Sequence, residues 1–116
     1  DRLALLSGDD APALPMWAVG GRGVVSVTSN LLPERMVELW NAFERDRAEA
    51  RRIHLQLMAL FDGLFIETNP APIKTLVSQH TGLCTEEMRL PMVPLRSESQ
   101  TTLNALCRRF EIELDR

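Results

Sequence analysis

The sequence predicts an α/β protein that contains two parallel strands joined by a helix, followed by four further helices. Residues 3–6 and residues 23–27 are short apolar runs without alternation, and each run ends in polar residues. Such runs are typical of strands that are buried on both faces of a parallel sheet. Residues 11–20 between them have helical character and are closed by Gly20-Gly21, so the first part of the chain predicts one βαβ unit.

The helices after the second strand are predicted from apolar residues that recur at intervals of three and four. These stripes run from Met36 to Phe43, from Ile53 to Phe65, from Ile73 to His80 and from Leu103 to Phe110. Pro33 has the position that is favoured at a helix start, and Gly82 is the expected end of the third helix in this series.

Prolines predict two links between these helices. Residues 67–72 are expected to form a turn or an extended link, and residues 87–95 an irregular segment, because proline lacks the N–H that a helix interior needs. Ser97 with Gln100 three positions later resembles a capping box, which predicts the start of the last helix.

The two predicted strands are too few to form a stable sheet by themselves. Parallel pairs occur almost only in larger sheets, and a lone edge strand is an aggregation liability. The helical residues 32–110 could bury a modest core, but the strands could not. We therefore expect either the C-terminal piece of a longer α/β protein or a chain whose sheet is completed by a partner.

Composition and charge argue against several classes of partner. The net charge is −3, whereas nucleic-acid surfaces need clustered Lys and Arg, and Glu49 is expected to pair with Arg45 or Arg52 in the densest basic cluster. No apolar stretch approaches the roughly 18 residues that span a bilayer. Cys84 and Cys107 lack the short paired spacing of zinc ligands. We expect no nucleic acid, membrane, metal or cofactor, and reduced thiols in a cytoplasmic protein.

Polar residues follow both predicted strands, at the edge of a parallel sheet where ligands bind. Gly8 would let a ligand approach the backbone closely. Asp9 fits either a pocket rim or a cap of the helix that begins near Ala11. Asp10 is expected to be that cap, since aspartate is among the best N-cap residues. Residues 28–30 add hydroxyl and amide groups without a base for nucleophilic chemistry.

Lys74 is the only lysine of the chain, and the chain contains no tyrosine. A lysine that forms a Schiff base needs a desolvated amine with a lowered pKa. Lys74 instead follows the proline-rich residues 70–72 at the start of a surface helix, away from the strand ends. A solvated or packing role is therefore the favoured interpretation.

Four segments in this order resemble the C-terminal part of one enzyme family. They are LLSGDDA at residues 5–11, GGRGVVSVTSN at residues 20–30, NPAPIK at residues 69–74 and RLPMVPL at residues 89–95. Together with AEARRI at residues 48–53, they resemble the 4-hydroxy-tetrahydrodipicolinate synthase (dihydrodipicolinate synthase) family. The resemblance extends from Leu3 to about Phe110.

The resemblance implies a (β/α)₈ TIM barrel of which this chain holds only a part. Residues 1–46 would be its last two βα units, with strands seven and eight, and residues 47–116 a C-terminal three-helix region. It also implies a Schiff-base lyase that condenses pyruvate with aspartate semialdehyde in diaminopimelate and lysine biosynthesis, and subunits that assemble as dimers and homotetramers.

The resemblance also implies roles for individual residues. Val25 matches an aliphatic residue that contacts pyruvate, and Gly8 and Asp9 match the pocket wall after strand seven. The Schiff-base lysine and the proton-relay tyrosines of the family belong to strands upstream of these residues, and Lys74 matches the helix lysine of the NPxPxK motif. We therefore expect no catalytic residue in this chain and no activity from the chain alone.

Three alternatives remain open from the sequence. A separate N-terminal polypeptide could complete the barrel with this chain. A related pyruvate aldolase of the N-acetylneuraminate lyase type shares the implied fold, although it resembles the four segments less. A non-enzymatic helical interaction module could use the stripes from Met36 to Phe110 as a bundle surface.

Overall fold

The computed structural model describes residues 3–112 and contains two strands and five helices there. In chain order these are β1 (Leu6–Ser7), α1 (Ala13–Ala18), β2 (Gly23–Val24), α2 (Pro33–Arg45), α3 (Arg47–Gly63), α4 (Ala71–Thr81) and α5 (Ser97–Arg109). A short 3₁₀ turn, Thr28–Asn30, lies between β2 and α2. The predicted order of strands and helices is confirmed. No helix within residues 3–112 is both long and apolar enough to cross a membrane.

The chain divides into two compact units, Asp1–Phe61 and Asp62–Arg116. The first contains both strands, and the second contains α4 and α5. The boundary expected between residues 46 and 47 falls where α2 gives way to α3 and stays a prediction. Residues 1–2 and 113–116 at the outer limits of the two expected domains lie outside the described residues.

The two strands pair in parallel, with Leu6 opposite Gly23 and Ser7 opposite Val24. They are shorter than the apolar runs that predicted them, because a strand extends only as far as a neighbour bonds to it, and each has only the other among residues 3–112. Leu3 and its apolar neighbours are consequently not buried, and Leu3 is 95% exposed. Such exposure is what an incomplete parallel sheet leaves behind.

In the first unit, aromatic side chains of α1 and α2 pack against one another on one side of the strands. The α1 helix contacts both strands, and its Trp17 ring packs edge-on against Trp40 of α2 with centroids 4.9 Å apart. Phe43 lies 5.5 Å from Trp17, and the Arg47 guanidinium lies 3.4 Å above the Phe43 ring. These rings bury large apolar surfaces and fix α1 and α2 over β2.

The basic cluster around α3 forms ion pairs on the surface, as the sequence predicted. The Arg52 guanidinium donates to both carboxylate oxygens of Glu49, at 2.5 and 2.7 Å. Both side chains are exposed, so water and salt screen the attraction. The Glu49–Arg52 pair is confirmed, and this face of the helix is solvated.

Helix α4 starts earlier than predicted. Residues 67–72 were expected to stay outside a helix, but α4 begins at Ala71 and holds Pro72 in its first turn, where the missing N–H has no intrahelical partner to lose. The expected stop at Gly82 is confirmed by its left-handed conformation, φ 65°. Lys74 donates to the backbone carbonyl of Glu87 and so anchors the irregular segment that follows α4.

The predicted capping box at the start of α5 is wrong. Ser97 is already inside the helix, and Arg96 is the N-cap residue without a side-chain cap. Glu67 supplies the missing acceptor instead, because its Oε1 accepts the Arg96 N–H at 3.0 Å. The Ser99 hydroxyl donates to the same carboxyl group, and this bond, followed by the bond from Arg96, holds the pKa of Glu67 below its ordinary value.

Replacing Gly21 with alanine should destabilise the first unit. A Cβ at this position would lie 2.8 Å from the Met16 carbonyl oxygen, a backbone atom that cannot rotate away. Overpacking of this kind costs about 1–3 kcal/mol. Denaturant unfolding should show a lower midpoint for Gly21→Ala. The matched control is Gly8→Ala, whose added Cβ meets no atom within 4 Å; equal midpoints for the two variants would contradict the packing argument.

Replacing Glu67 with glutamine should make stability less dependent on acidic pH. The folded protein depresses the pKa of Glu67, so the stabilisation is present above the ordinary value of 4.5 and is lost as the pH falls through the folded value. Glu67→Gln should therefore melt below the unmodified chain at pH 7, and the difference should shrink towards pH 3. The exposed Glu87→Gln is the control, and a difference independent of pH would exclude this explanation.

Candidate functional site

The ends of β1 and β2 bring the expected site residues to one edge of the sheet. Because the two strands run parallel, their carboxyl ends point the same way. Gly8 and Asp9 follow β1 directly, and Val25 follows β2. The Val25 N–H donates to the Ser7 carbonyl at 2.8 Å, which ties these two segments together at the point where the strands stop.

The turn after β1 is held by its own hydrogen bonds. The buried Ser7 hydroxyl donates to the Asp9 carbonyl at 2.6 Å, and the Asp10 N–H donates to Asp9 Oδ1 at 2.6 Å. These bonds fix Asp9 in a half-buried position. A Cβ added to Gly8 would meet no atom within 4 Å, so the backbone at this residue borders open space in the first unit.

Asp10 does not cap α1, contrary to the sequence-based expectation. The N-cap residue is Pro12, and the Asp10 side chain instead reaches the end of β2. Its Oδ2 accepts the N–H of Thr28 at 2.8 Å and that of Val27 at 3.1 Å, in a position that is 0% exposed. Two backbone donors just past a strand end need an acceptor when buried, and this need outweighs the cap.

Val25 presents its side chain away from the helices of the first unit. Alternation along a strand places Val24 and Ser26 on the opposite face from Val25. Those two residues line an apolar groove of about 310 Å³ together with Trp17, Met36 and Trp40. Val25 is 64% exposed, so the described residues leave it largely uncovered.

The side chains of Ser26, Ser29 and Asn30 after β2 form local bonds, whereas the buried Thr28 hydroxyl has no hydrogen-bond partner among the described residues. The Ser29 N–H donates to Ser26 Oγ at 2.9 Å, and Asn30 Nδ2 donates to the Val27 carbonyl at 3.0 Å. These bonds support the 3₁₀ turn that leads into α2, whose backbone bonds run from Asn30 to Val27 and from Leu31 to Thr28. Within residues 3–112, no cluster of three His, Cys, Asp or Glu side chains is placed to hold a metal ion.

The remaining titratable groups with shifted pKa values lie on the later helices. Burial raises the pKa of the Cys107 thiol on α5 to about 11, so this thiol stays protonated at neutral pH. Burial also lowers the pKa of His54 on α3, which favours the neutral imidazole. Cys84 and Cys107 are both free thiols.

Comparison with known proteins shows to which family the chain belongs. The model of the dihydrodipicolinate synthetase family matches residues 1–109. The chain belongs to this family. A 4-hydroxy-tetrahydrodipicolinate synthase of Pelobacter propionicus is 45% identical over 111 residues, which are 95% of this chain but 38% of that protein. The chain thus spans less than half the length of the curated relatives that it matches, in their C-terminal part.

Solved dihydrodipicolinate synthases have the same fold over the matched region. The crystal structure from Aquifex aeolicus has a TM-score of 0.93 at 40% identity, covering 100% of this chain and 40% of that one. The chloride-inhibited enzyme from Acinetobacter baumannii, solved in complex with pyruvate, has a TM-score of 0.89 at 30% identity, covering 96% of this chain and 38% of that one. The prediction of a partial TIM barrel is confirmed.

Sequence reasoning missed the roles of two residues at this edge. Ser7 has the polar side chain that closes the turn around Gly8, and Asp10 joins that turn to β2. The Asp10 partners lie 17 and 18 residues away, so no local pattern could reveal them. The only available signal was a second aspartate placed directly after a strand end.

Proposed function

We propose that this chain forms the C-terminal part of a 4-hydroxy-tetrahydrodipicolinate synthase, a lyase that condenses pyruvate with aspartate semialdehyde in diaminopimelate and lysine biosynthesis. The observation that carries the proposal is the exposed Val25 beside Gly8 and Asp9 at the carboxyl ends of β1 and β2, in a chain of this family. A pyruvate complex of a family member supports the substrate class.

In this proposal the chain contributes part of the pocket wall and no catalytic residue. Val25 packs an apolar side chain against the methyl group of pyruvate and keeps water from the imine. Gly8 and Asp9 form the rim after β1, where the backbone at Gly8 leaves room for a ligand. The imine itself forms on a lysine of an upstream strand, as in class I aldolases.

The position of the single lysine supports the assignment of the imine to an upstream strand. Lys74 bonds to the Glu87 carbonyl in the second unit, on a helix and not at a strand end. We propose that the upstream strands join β1 and β2 in one barrel, that the complete subunits form homo-oligomers, and that the enzyme works in the cytoplasm. The exposed apolar residues of both strands support completion of the barrel by further strands.

Borohydride trapping should separate the chain from the complete barrel. Pyruvate and borohydride should leave no adduct on the isolated 116-residue chain, because no lysine stands at the strand ends. The complete protein that contains these residues should gain one reduced pyruvate adduct per subunit, located by peptide mass spectrometry on an upstream lysine. Labelling of Lys74, or a complete protein that forms no adduct, would refute the proposal.

Shortening Val25 should weaken the pyruvate site without removing the chemistry. In the complete protein, Val25→Ala should raise the KM for pyruvate by roughly three- to tenfold, because two methyl groups no longer cover the pyruvate methyl group. The measurement is steady-state condensation at saturating aspartate semialdehyde. Val93→Ala is the matched control, an exposed valine in the second unit. An unchanged KM in Val25→Ala would remove this residue from the pocket wall.

A further inference from the structure

We propose that Asp10 is a positioning residue that fixes the two halves of the pocket wall relative to each other. The inference rests on the function proposed above and adds a residue to it. The Asp10 carboxylate belongs to the turn that carries Gly8 and Asp9, and it binds the backbone that follows Val25. It thus joins the two segments that are proposed to touch the substrate.

The contacts of Asp10 surround the substrate-facing residues from both sides. On the β1 side, its N–H donates to Asp9 Oδ1 at 2.6 Å and so holds the rim carboxylate. On the β2 side, Oδ2 accepts two N–H groups, from Val27 and Thr28. Val25 is therefore fixed at its own N–H, which donates to Ser7, and again two residues later.

A side-chain bridge matters here because the ladder between the strands is so short. Only two residues of each strand are paired, and the chain then leaves the ladder on both sides. Beyond that point the fully buried Asp10 carboxylate bonds the two segments to each other. A shift of about 1 Å at reacting groups can cost roughly a hundredfold in rate, so the bridge acts on catalysis without touching substrate.

The geometry predicts which substitutions are tolerated. Both N–H groups donate to the same oxygen, Oδ2, while Oδ1 has no hydrogen-bond partner among the described residues. An asparagine can therefore keep both bonds with its single carbonyl oxygen, and its amide nitrogen displaces no existing bond. Alanine loses both bonds, and glutamate keeps the charge but moves the acceptor by one methylene group.

The test compares Asp10→Asn, Asp10→Glu and Asp10→Ala in the complete protein. Active sites are first counted by borohydride trapping of pyruvate, so that partly unfolded protein does not enter the rate. Per titrated site, Asp10→Ala and Asp10→Glu should lower kcat/KM for pyruvate by about tenfold or more, and Asp10→Asn should stay within about threefold of the unmodified protein. The exposed Asp62→Ala is the control and should leave kcat/KM unchanged.

A double-substitution cycle with Val25→Ala tests whether Asp10 affects catalysis by positioning Val25 in the pocket wall. If it does, Val25→Ala should matter less in the Asp10→Glu background than in the unmodified protein. Independent effects that multiply, or full activity per site in Asp10→Glu, would overturn the inference. A loss in Asp10→Asn as large as that in Asp10→Ala, with Asp10→Glu retaining its activity, would assign the effect to charge and overturn it as well. A complete protein without any pyruvate adduct would refute the proposed function itself.

Discussion

The N–H groups of Val27 and Thr28, in the segment that follows β2, share one buried oxygen of Asp10, and the proposed pocket wall depends on this contact. Each bond adds only about 1.5–3 kcal/mol as a bond to a charged group. Losing the acceptor costs more than that, because the donors would stay buried without a partner. The paired strands are only two residues long, so they do not reach these turns. The Asp10 contact connects the turn after β1 to the turn after β2.

The second unit follows the same physical rule with different residues. The first N–H groups of a helix have no partner inside the helix, and α5 begins where its own serine cannot supply one. Glu67 supplies an acceptor from outside the helix, and Lys74 supplies a donor to the carbonyl of Glu87. In both units, side chains that are distant in the sequence thus form hydrogen bonds to backbone groups of the irregular segments. These backbone groups have no partner in a helix or a sheet.

The sequence predicted the elements well and the contacts between distant residues poorly. Periodicity located the four helices after β2, because a buried stripe at spacing three and four has few other solutions. The prediction of helix caps failed at Asp10 and Ser97, although both residue types favour N-cap positions and the neighbouring residues suggest a cap there. Whether such a residue caps its own helix depends on which buried donor lies nearest in space. That distance is set by tertiary packing, which no local window of sequence contains.

The position of Val25 shows how far the site itself could be anticipated. An apolar run without alternation predicted burial on both faces, yet Val25 is mostly exposed, since residues 3–112 leave its face of the sheet largely uncovered. Alternation nevertheless puts Val25 opposite the groove formed with Trp17 and Trp40, so its direction is set by the strand and not by any ligand. A side chain that is held in place by its backbone before substrate binds loses little entropy on binding, which is what a pocket wall requires.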